Sequence, residues 1–198
     1  MGVKYDKGLG VTQNYRVAIN WYEKAMQQGS LEAQNNLAEC YKYGNGCAKN
    51  PRRAFLYFKQ IAEKGYAEAQ NNLGECYQQG VGIEKDLAKA VEWYKKAAEQ
   101  GHVDAQIKMK NCYGSGKGLK KDLTQAFEWA EKAAEQGDAQ AQCYLGRCYK
   151  DGLGVEADKN TAIEWYKKAA EQGDAEAQCE LGKCLSLIHI SEPTRLQL

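Results

Sequence analysis

The chain has 198 residues, with 27 lysines and arginines against 26 aspartates and glutamates and a formal net charge of +1. A charge this close to zero provides no bulk attraction to nucleic acid or to an anionic membrane. No apolar run approaches the roughly 18 residues that a transmembrane helix needs. The composition, with two prolines and abundant Ala, Glu, Lys and Gln, favours long helices. We therefore expect no nucleic-acid partner and no membrane insertion by this chain.

The sequence repeats with a period of 36 residues. The decapeptide EWYKKAAEQG occurs at 92–101 and again at 164–173, and EWAEKAAEQG lies between them at 128–137. Glycine and cysteine keep the same spacing without an insertion. The periodic residues are Gly29, Gly65, Gly101, Gly137 and Gly173, and Cys40, Cys76, Cys112, Cys148 and Cys184. A fixed period of this length indicates a chain built from repeated supersecondary units.

One unit, residues 66–101, predicts a helix, a turn and a second helix. Apolar residues recur at helical spacing within 69–77, which predicts the first helix. The segment Gly80–Gly82 predicts its end and a tight turn. Asp86 is a good N-cap for the second helix, and Gly101 predicts a left-handed cap at its end. Each unit is therefore expected to be a pair of helices.

The second helix has a wide apolar arc, so it is expected to bury surface on two sides. That arc consists of Ala90, Val91, Trp93, Tyr94, Ala97 and Ala98. A single helix pair cannot cover both sides, whereas stacked pairs can, with tryptophan and alanine hidden between them. Glycines on the first helix, at Gly74, Gly146 and Gly182, are expected to permit close approach. The fold class predicted is all-α, an α-solenoid of helix-turn-helix repeats.

Two strings of each unit resemble the Sel-one-like repeat (SLR) family of the tetratricopeptide-like superfamily. They are L-G-x-C-Y-x-x-G-x-G-V and D-x-x-K-A-x-x-W-Y-x-K-A-A-x-Q-G, and they recur over residues 1–184 in about five units. The departures are Lys110 at the first-helix glycine, Tyr57–Phe58 at Trp–Tyr and Cys47 at the loop valine. The resemblance implies a right-handed superhelix that binds a partner protein or peptide on its concave face as a scaffold or adaptor, without enzymatic activity.

Both ends of the sequence depart from the repeat. Met1 aligns with Leu73, midway through a first helix, so the solenoid of 1–184 is expected to be truncated at both ends, with end-to-end self-association through the cut faces. Residues 185–198, LSLIHISEPTRLQL, fit no repeat position. Residues 185–195 resemble a translated adapter from sequencing-library preparation, which predicts an artefactual tail; the alternative is a genuine tail. A second functional hypothesis is that the chain is the repeat portion of a larger protein with an enzymatic or membrane-anchored domain.

The residues of the repeats offer little for catalysis. Outside 185–198 the chain has one histidine, His102, and two serines, Ser30 and Ser115, which assemble into no convincing Ser-His-Asp set. His102 lies where Asp138 and Asp174 lie in other units, which indicates a turn residue. The segment 114–122, GSGKGLKKD, lacks phosphate-loop spacing and follows a predicted helix. We expect no catalytic residue and no cofactor.

The eight cysteines do not predict a metal site. Cys143 and Cys148 are five residues apart, about 140° around a helix, so one is expected to face the core and the other away. Cysteines at the Cys76 position are expected to be small buried hydrophobes. Disulfide-bonded secreted members of the family resembled here carry paired cysteines near helix ends, where this chain has Ala98 and Gln106. That difference favours reduced thiols and a cytoplasmic setting, although the sequence does not assign a location.

The partner-binding surface is predicted on the first helices, at positions off the core stripe. The two rows of candidate residues are Asn35, Asn71, Ile107 and Cys143, and, one turn later, Glu39, Glu75, Asn111 and Arg147. The second row changes from acidic to basic along the array while the core residues hardly change. This pattern predicts a groove for an extended peptide or helix of opposing polarity; ordinary drift of surface residues is the open alternative.

Overall fold

A computed structural model describes the backbone of residues 1–191 and the side chains of residues 1–184. Within these residues it contains eleven α-helices and no strand, which confirms the all-α prediction. The helices are α1 (Gly2–Lys7), α2 (Tyr15–Gln27), α3 (Leu31–Tyr43), α4 (Pro51–Ala62), α5 (Ala67–Gln79), α6 (Leu87–Glu99), α7 (Val103–Ser115), α8 (Leu123–Glu135), α9 (Ala139–Asp151), α10 (Lys159–Glu171) and α11 (Ala175–Ser191). Odd-numbered helices are the first helices of their repeats. The predicted tail, 185–198, lies outside the described side chains.

The chain divides into two compact units, which we call the N-terminal unit (Met1–Ala105) and the C-terminal unit (Gln106–Leu198). In the N-terminal unit each helix from α1 to α5 packs on the next one along the chain. In the C-terminal unit the same holds from α8 to α10, and α9 also contacts α11. No helix of the described residues is both long enough and apolar enough to cross a bilayer.

The predicted cap at Asp86 is confirmed, and the other second helices begin with a cap of the same kind. The side chain of Asp86 accepts a hydrogen bond from the backbone N–H of Lys89 at 3.0 Å, and Asn50 accepts one from Arg53 at 3.0 Å. Asn14, Asp122 and Asp158 cap their helices in the same way. Each bond satisfies one of the backbone donors that a helix N-terminus leaves without an intrahelical partner, so these short polar residues fix where the second helices begin.

The loop glycines join neighbouring repeats as well as turning the chain. Gly82 has a φ of 72° and lies against the backbone of Pro51, at the start of the preceding second helix. Gly154, with a φ of 77°, lies in the same way against Leu123. The sequence predicted the turn but not this approach, because a turn is local and the contact is with another repeat.

The aromatic pair of the second helix divides between core and surface. The tyrosines Tyr94 and Tyr166 are fully buried, whereas Trp21 is 40% exposed and Trp93 is half-buried. The expectation that the tryptophans are hidden between repeats is therefore wrong for these two; Trp129, 6% exposed, does fit it. Adjacent helical residues point about 100° apart, so a wide apolar arc reaches the surface at one edge. There a lysine covers the indole, with Nζ 4.0 Å from the ring centroid in the case of Lys96 over Trp93.

The buried tyrosines need the first-helix glycines. A Cβ atom on Gly74 would lie 2.6 Å from the ring of Tyr94, and one on Gly146 would lie 2.6 Å from the ring of Tyr166. The prediction that these two glycines permit close approach is confirmed. At Gly182 no described atom comes within 4 Å of the same place.

Candidate functional site

The eight predicted binding residues differ widely in exposure. Asn35, Asn71 and Cys143 are buried, Glu39, Glu75 and Ile107 are half-buried, and Asn111 and Arg147 are exposed. The first row is therefore largely inside the stack, with at most 4% exposure at its three buried members. Those three side chains can support a surface but offer little area for direct contact with a partner.

In the N-terminal unit the buried amides hold Glu39 in place. The side-chain amide of Asn72 donates to Oε1 of Glu39 at 3.3 Å and to the amide oxygen of Asn35 at 3.1 Å. Asn35 in turn donates to Glu39 at 3.5 Å. Desolvation raises the pKa of the Glu39 carboxyl, and the hydrogen bond from Asn72 opposes that rise. The network links α3 to α5 and fixes the direction of this carboxylate.

Glu39 is one of several carboxylates around a cleft of about 360 Å³, here called the acidic cleft. Its wall is formed by Val3, Asp6, Lys7, Tyr22, Glu32, Asn35, Asn36, Glu39, Tyr66 and Glu68. Four of these are acidic and one is basic, so the cleft is suited to a cationic group. Within the described residues, no group of three or more His, Cys, Asp or Glu side chains is arranged to hold a metal ion.

Glu75, one turn from the buried Asn71, forms a structural ion pair. Its carboxylate lies 3.0 Å from Nζ of Lys42, whose side chain is only 6% exposed. The pair connects α3 with α5, and removing the carboxylate would leave a buried ammonium group without its charge partner. Sequence reasoning placed Glu75 in the binding surface and missed Lys42, because nothing local relates residues 33 positions apart.

The C-terminal unit has a second cleft, of about 300 Å³, here called the mixed-charge cleft because two cations and two carboxylates line it. Its wall is formed by Lys110, Gln140, Cys143, Tyr144, Arg147, Asp174 and Glu176. Lys110 Nζ lies 4.7 Å from the centroid of the Tyr144 ring, and the Arg147 guanidinium lies 5.2 Å from it. Desolvation, together with the charge of Arg147, lowers the pKa of Lys110. The sequence predicts Arg147 in the partner-binding surface, whereas it shows Lys110 only as a residue that departs from the repeat.

Five of the eight cysteines are buried in the core, whereas Cys47 and Cys184 are half-buried and Cys179 is exposed. Cys143 and Cys148 are 4% and 0% exposed, so the expectation that one of them faces away from the core is wrong; α9 is packed on more than one side. The prediction that cysteines at one repeat position are buried is confirmed at Cys40, Cys76, Cys112 and Cys148 and is wrong at Cys184, which is half-buried. Burial raises the pKa of the Cys76 thiol to about 11, which keeps it protonated and a poor nucleophile.

His102 is part of a hydrogen-bonded cap, a role beyond that of a simple turn residue. Its Nε2 lies 2.9 Å from a Glu68 carboxylate oxygen, and its Nδ1 accepts the backbone N–H of Ala105 at 3.3 Å. The hydrogen bond to Glu68 raises the pKa of His102, against desolvation, and the same bond lowers the pKa of Glu68.

This pair predicts a small pH dependence of stability. A histidine pKa that is raised in the folded state stabilises the protein. This stabilisation is complete below the pKa of the unfolded state and is lost as pH rises through the pKa of the folded state. The lowered Glu68 pKa adds stability that is lost only as pH falls toward its own folded value, so the pair contributes most between about pH 4.5 and 6.5. Glu68 is 45% exposed, so the expected gain is below about 1 kcal/mol.

Urea unfolding of the wild type and of His102→Asn at pH 5.5 and 8.5 measures this dependence. The cost of the substitution should be larger at pH 5.5. A cost that is equal at both pH values, or larger at 8.5, would show that the neutral cap to Ala105 dominates instead.

Comparison with known proteins adds to this geometry. The family model described as Sel1 repeat matches residues 1–30, 31–66, 67–102, 103–138 and 139–174. The fold is similar to that of a Sel1 repeat protein from Oxalobacter formigenes, with 36% identity and a TM-score of 0.84 over 92% of this chain and 74% of that one. It is also similar to c5321, a protective antigen of uropathogenic Escherichia coli with an SLR fold, with 35% identity and a TM-score of 0.86.

The shared lengths differ among these structures. The chain aligns over 94% of its own length with c5321 but spans only 40% of that protein. Helicobacter pylori cysteine rich protein B shows a weaker likeness, with 27% identity and a TM-score of 0.52 over 64% of this chain and 96% of that one. Comparison with curated protein sequences gives no significant match.

Proposed function

The chain belongs to the Sel1 repeat family, and we propose that it is a protein-interaction scaffold that binds a partner protein or peptide through its first-helix surfaces, without catalysis. Sel1 repeats are related to tetratricopeptide repeats and generally mediate protein–protein interaction. The observation that carries the proposal is the pair of clefts, one in each compact unit, both lined largely from first helices. The acidic cleft has four carboxylates and one lysine, whereas the cleft of the C-terminal unit has two cations and two carboxylates.

The acidic cleft supports recognition of a basic segment. Four carboxylates surround it, and the Asn72 and Asn35 amides hold one of them, Glu39, in a fixed direction. Charge arranged in this way steers encounter, fixes orientation and disfavours partners of the wrong sign more than it adds raw affinity. A partner with a lysine- or arginine-rich segment therefore fits this unit.

Several groups that could act in catalysis are engaged in structure. The thiols of Cys76 and Cys148 are buried, and burial raises the pKa of each to about 11. Both ring nitrogens of His102 are hydrogen-bonded, Nε2 to the Glu68 carboxylate and Nδ1 to the backbone N–H of Ala105 in α7. These contacts support a scaffold over a hydrolase.

The acidic cleft is tested with partners identified by affinity capture on the wild-type chain and then purified. Glu32→Lys combined with Glu39→Gln should weaken binding about tenfold at low salt, mainly through the association rate, and less at high salt. Glu75 is left unchanged because its loss would leave the buried Lys42 ammonium group without its charge partner. The resulting loss of stability would be indistinguishable from a loss of binding.

Glu92→Lys, on the exposed face of the second helix α6, is the matched control. It also reverses an acidic charge and should leave binding unchanged. Unaltered binding by the Glu32/Glu39 variant, or equal weakening by Glu92→Lys, would rule out the acidic cleft as the docking surface.

A second candidate is that the chain is the repeat portion of a larger protein that carries an enzymatic or membrane-anchored domain. The observation that favours it is length: the chain spans 40% of c5321 and 74% of the Oxalobacter protein. Sequencing the complete gene distinguishes the two candidates, since only the second predicts a further domain.

A further inference from the structure

We propose that the mixed-charge cleft of the C-terminal unit binds a carboxylate side chain from an acidic segment of the protein partner, with Lys110 and Arg147 as the binding cations. This inference rests on the proposed scaffold function and gives one of its surfaces a specific ligand chemistry.

The first observation is a paired departure from the repeat. In two repeats a first-helix glycine faces a buried tyrosine of the second helix. Gly74 faces Tyr94, and Gly146 faces Tyr166. In the repeat between them the corresponding residues are Lys110 and Ala130. In this repeat lysine therefore replaces the glycine, and alanine replaces the tyrosine whose ring would collide with the lysine side chain. The lysine side chain therefore meets no tyrosine ring at this position of the repeat.

The second observation is the surroundings of Lys110. Its side chain is half-buried in the cleft wall, and its ammonium group lies over the Tyr144 ring. None of the ion pairs found among the described residues of the C-terminal unit involves Lys110. The Asp138 carboxylate, whose charge acts to raise the pKa of Lys110, caps α9 by accepting the Ala141 N–H at 2.7 Å. A partly desolvated cation without a carboxylate partner is a ready site for an anion.

The third observation is that the other cation is only loosely held. Arg147 Nη1 lies 3.4 Å from Oε1 of Glu176, with side-chain exposures of 46% and 65%. Exposed pairs of this kind contribute little, so an incoming carboxylate can replace Glu176 on Arg147 at small cost. Tyr144, lying under both cations, keeps them on one side of the cleft.

The carboxylates already in the wall define the ligand further. Asp174 is fixed as the cap of α11 through the Ala177 N–H at 2.8 Å, so one negative charge stays in the cleft when Glu176 is displaced. A singly charged carboxylate matches the two cations beside that fixed charge better than a doubly charged phosphate does. We assign the carboxylate to an aspartate or glutamate side chain, because three first helices, α7, α9 and α11, line the cleft and present both cations within one protein-binding surface.

The test is NMR titration of the full chain with an acetylated and amidated pentaglutamate peptide, followed through the Tyr144 amide and the Arg147 Nε–H. Both signals should shift in saturable fashion. Lys110→Gly combined with Ala130→Tyr restores the glycine–tyrosine packing of the other repeats, so it removes the cation while keeping the fold. It should weaken peptide binding at least about tenfold, and Glu176→Gln should strengthen it.

Lys167→Met, on the exposed surface of α10, removes one positive charge from the same unit and serves as the control. It should leave the titration nearly unchanged. An absence of shifts, or equal weakening by the control, would overturn the proposal. Stronger binding by inorganic phosphate or by acetyl-trialanine with a free C-terminus would overturn the assignment to an acidic side chain. Because no partner is needed, failure here leaves the acidic cleft and the scaffold function to be judged by their own binding experiment.

Discussion

Replacing Gly82 with alanine is expected to lower the free energy of unfolding of the N-terminal unit by about 3 kcal/mol or more. The new Cβ would overlap the Pro51 carbonyl oxygen and lie 2.6 Å from the carbonyl carbon and 2.8 Å from the Arg52 Cα. These are backbone atoms at the start of a helix, so they cannot move aside as a side chain would. The residue would also keep a φ of 72°, which alanine adopts only with strain.

The matched control for this prediction is Gly101→Ala. Gly101 has a φ of 87°, but no atom lies within 4 Å of the place its Cβ would take. It should cost only the strain of a left-handed residue, about 1–2 kcal/mol. Urea unfolding followed by circular dichroism compares the two. Equal costs would mean that the loop glycine serves only the turn and does not join neighbouring repeats.

Phe58→Ala is expected to cost about 3–5 kcal/mol of unfolding free energy. Phe58 is fully buried on α4 and belongs to the core cluster that joins α2, α3, α4 and α5. Its removal leaves a cavity that the two neighbouring helix pairs share, and packed helices close such a cavity only in part. The measurement is again the midpoint and slope of urea unfolding.

Leu56→Ala, on the same helix, is the control because Leu56 is 59% exposed. It should change the unfolding free energy by less than about 0.5 kcal/mol. A small loss for Phe58→Ala, comparable with that of Leu56→Ala, would contradict the view that burial between neighbouring helix pairs holds the repeats together.

The parts of the fold that could be predicted from the sequence are those that local chemistry determines. Asp86 begins a helix because its carboxylate bonds to a backbone N–H three residues later, and Gly101 ends one because it adopts positive φ at low cost. The period then repeats these local signals, so helix number, order and ends follow from the sequence.

Relations between repeats could not be predicted in the same way. A helical stripe shows which side of a helix is apolar but not how many neighbours cover it. Asn35 was therefore expected at the surface and is 2% exposed, and Trp21 was expected inside and is 40% exposed. The Lys42–Glu75 ion pair joins two first helices whose spacing only the packed structure defines.

The candidate site was predicted in outline only. The sequence shows the change from acidic to basic residues along the first helices at Glu39 and Arg147. Glu39 lines a cleft with an excess of carboxylates, whereas the cleft that Arg147 lines has two cations and two carboxylates. Lys110 could have been predicted from the sequence, because it and Ala130 depart from the repeat together. Lysine stands at the first-helix glycine position in the one repeat where alanine stands at the second-helix tyrosine position. Its place over Tyr144 required the structure.

The central claim is that a partner docks on the first helices, and hydrogen–deuterium exchange of the full chain with and without the purified partner tests it most directly. We predict that bound partner slows exchange in α3 and α9, which line the two clefts, and leaves the second helices α6 and α10 unchanged. Slower exchange confined to α6 and α10 would contradict the claim.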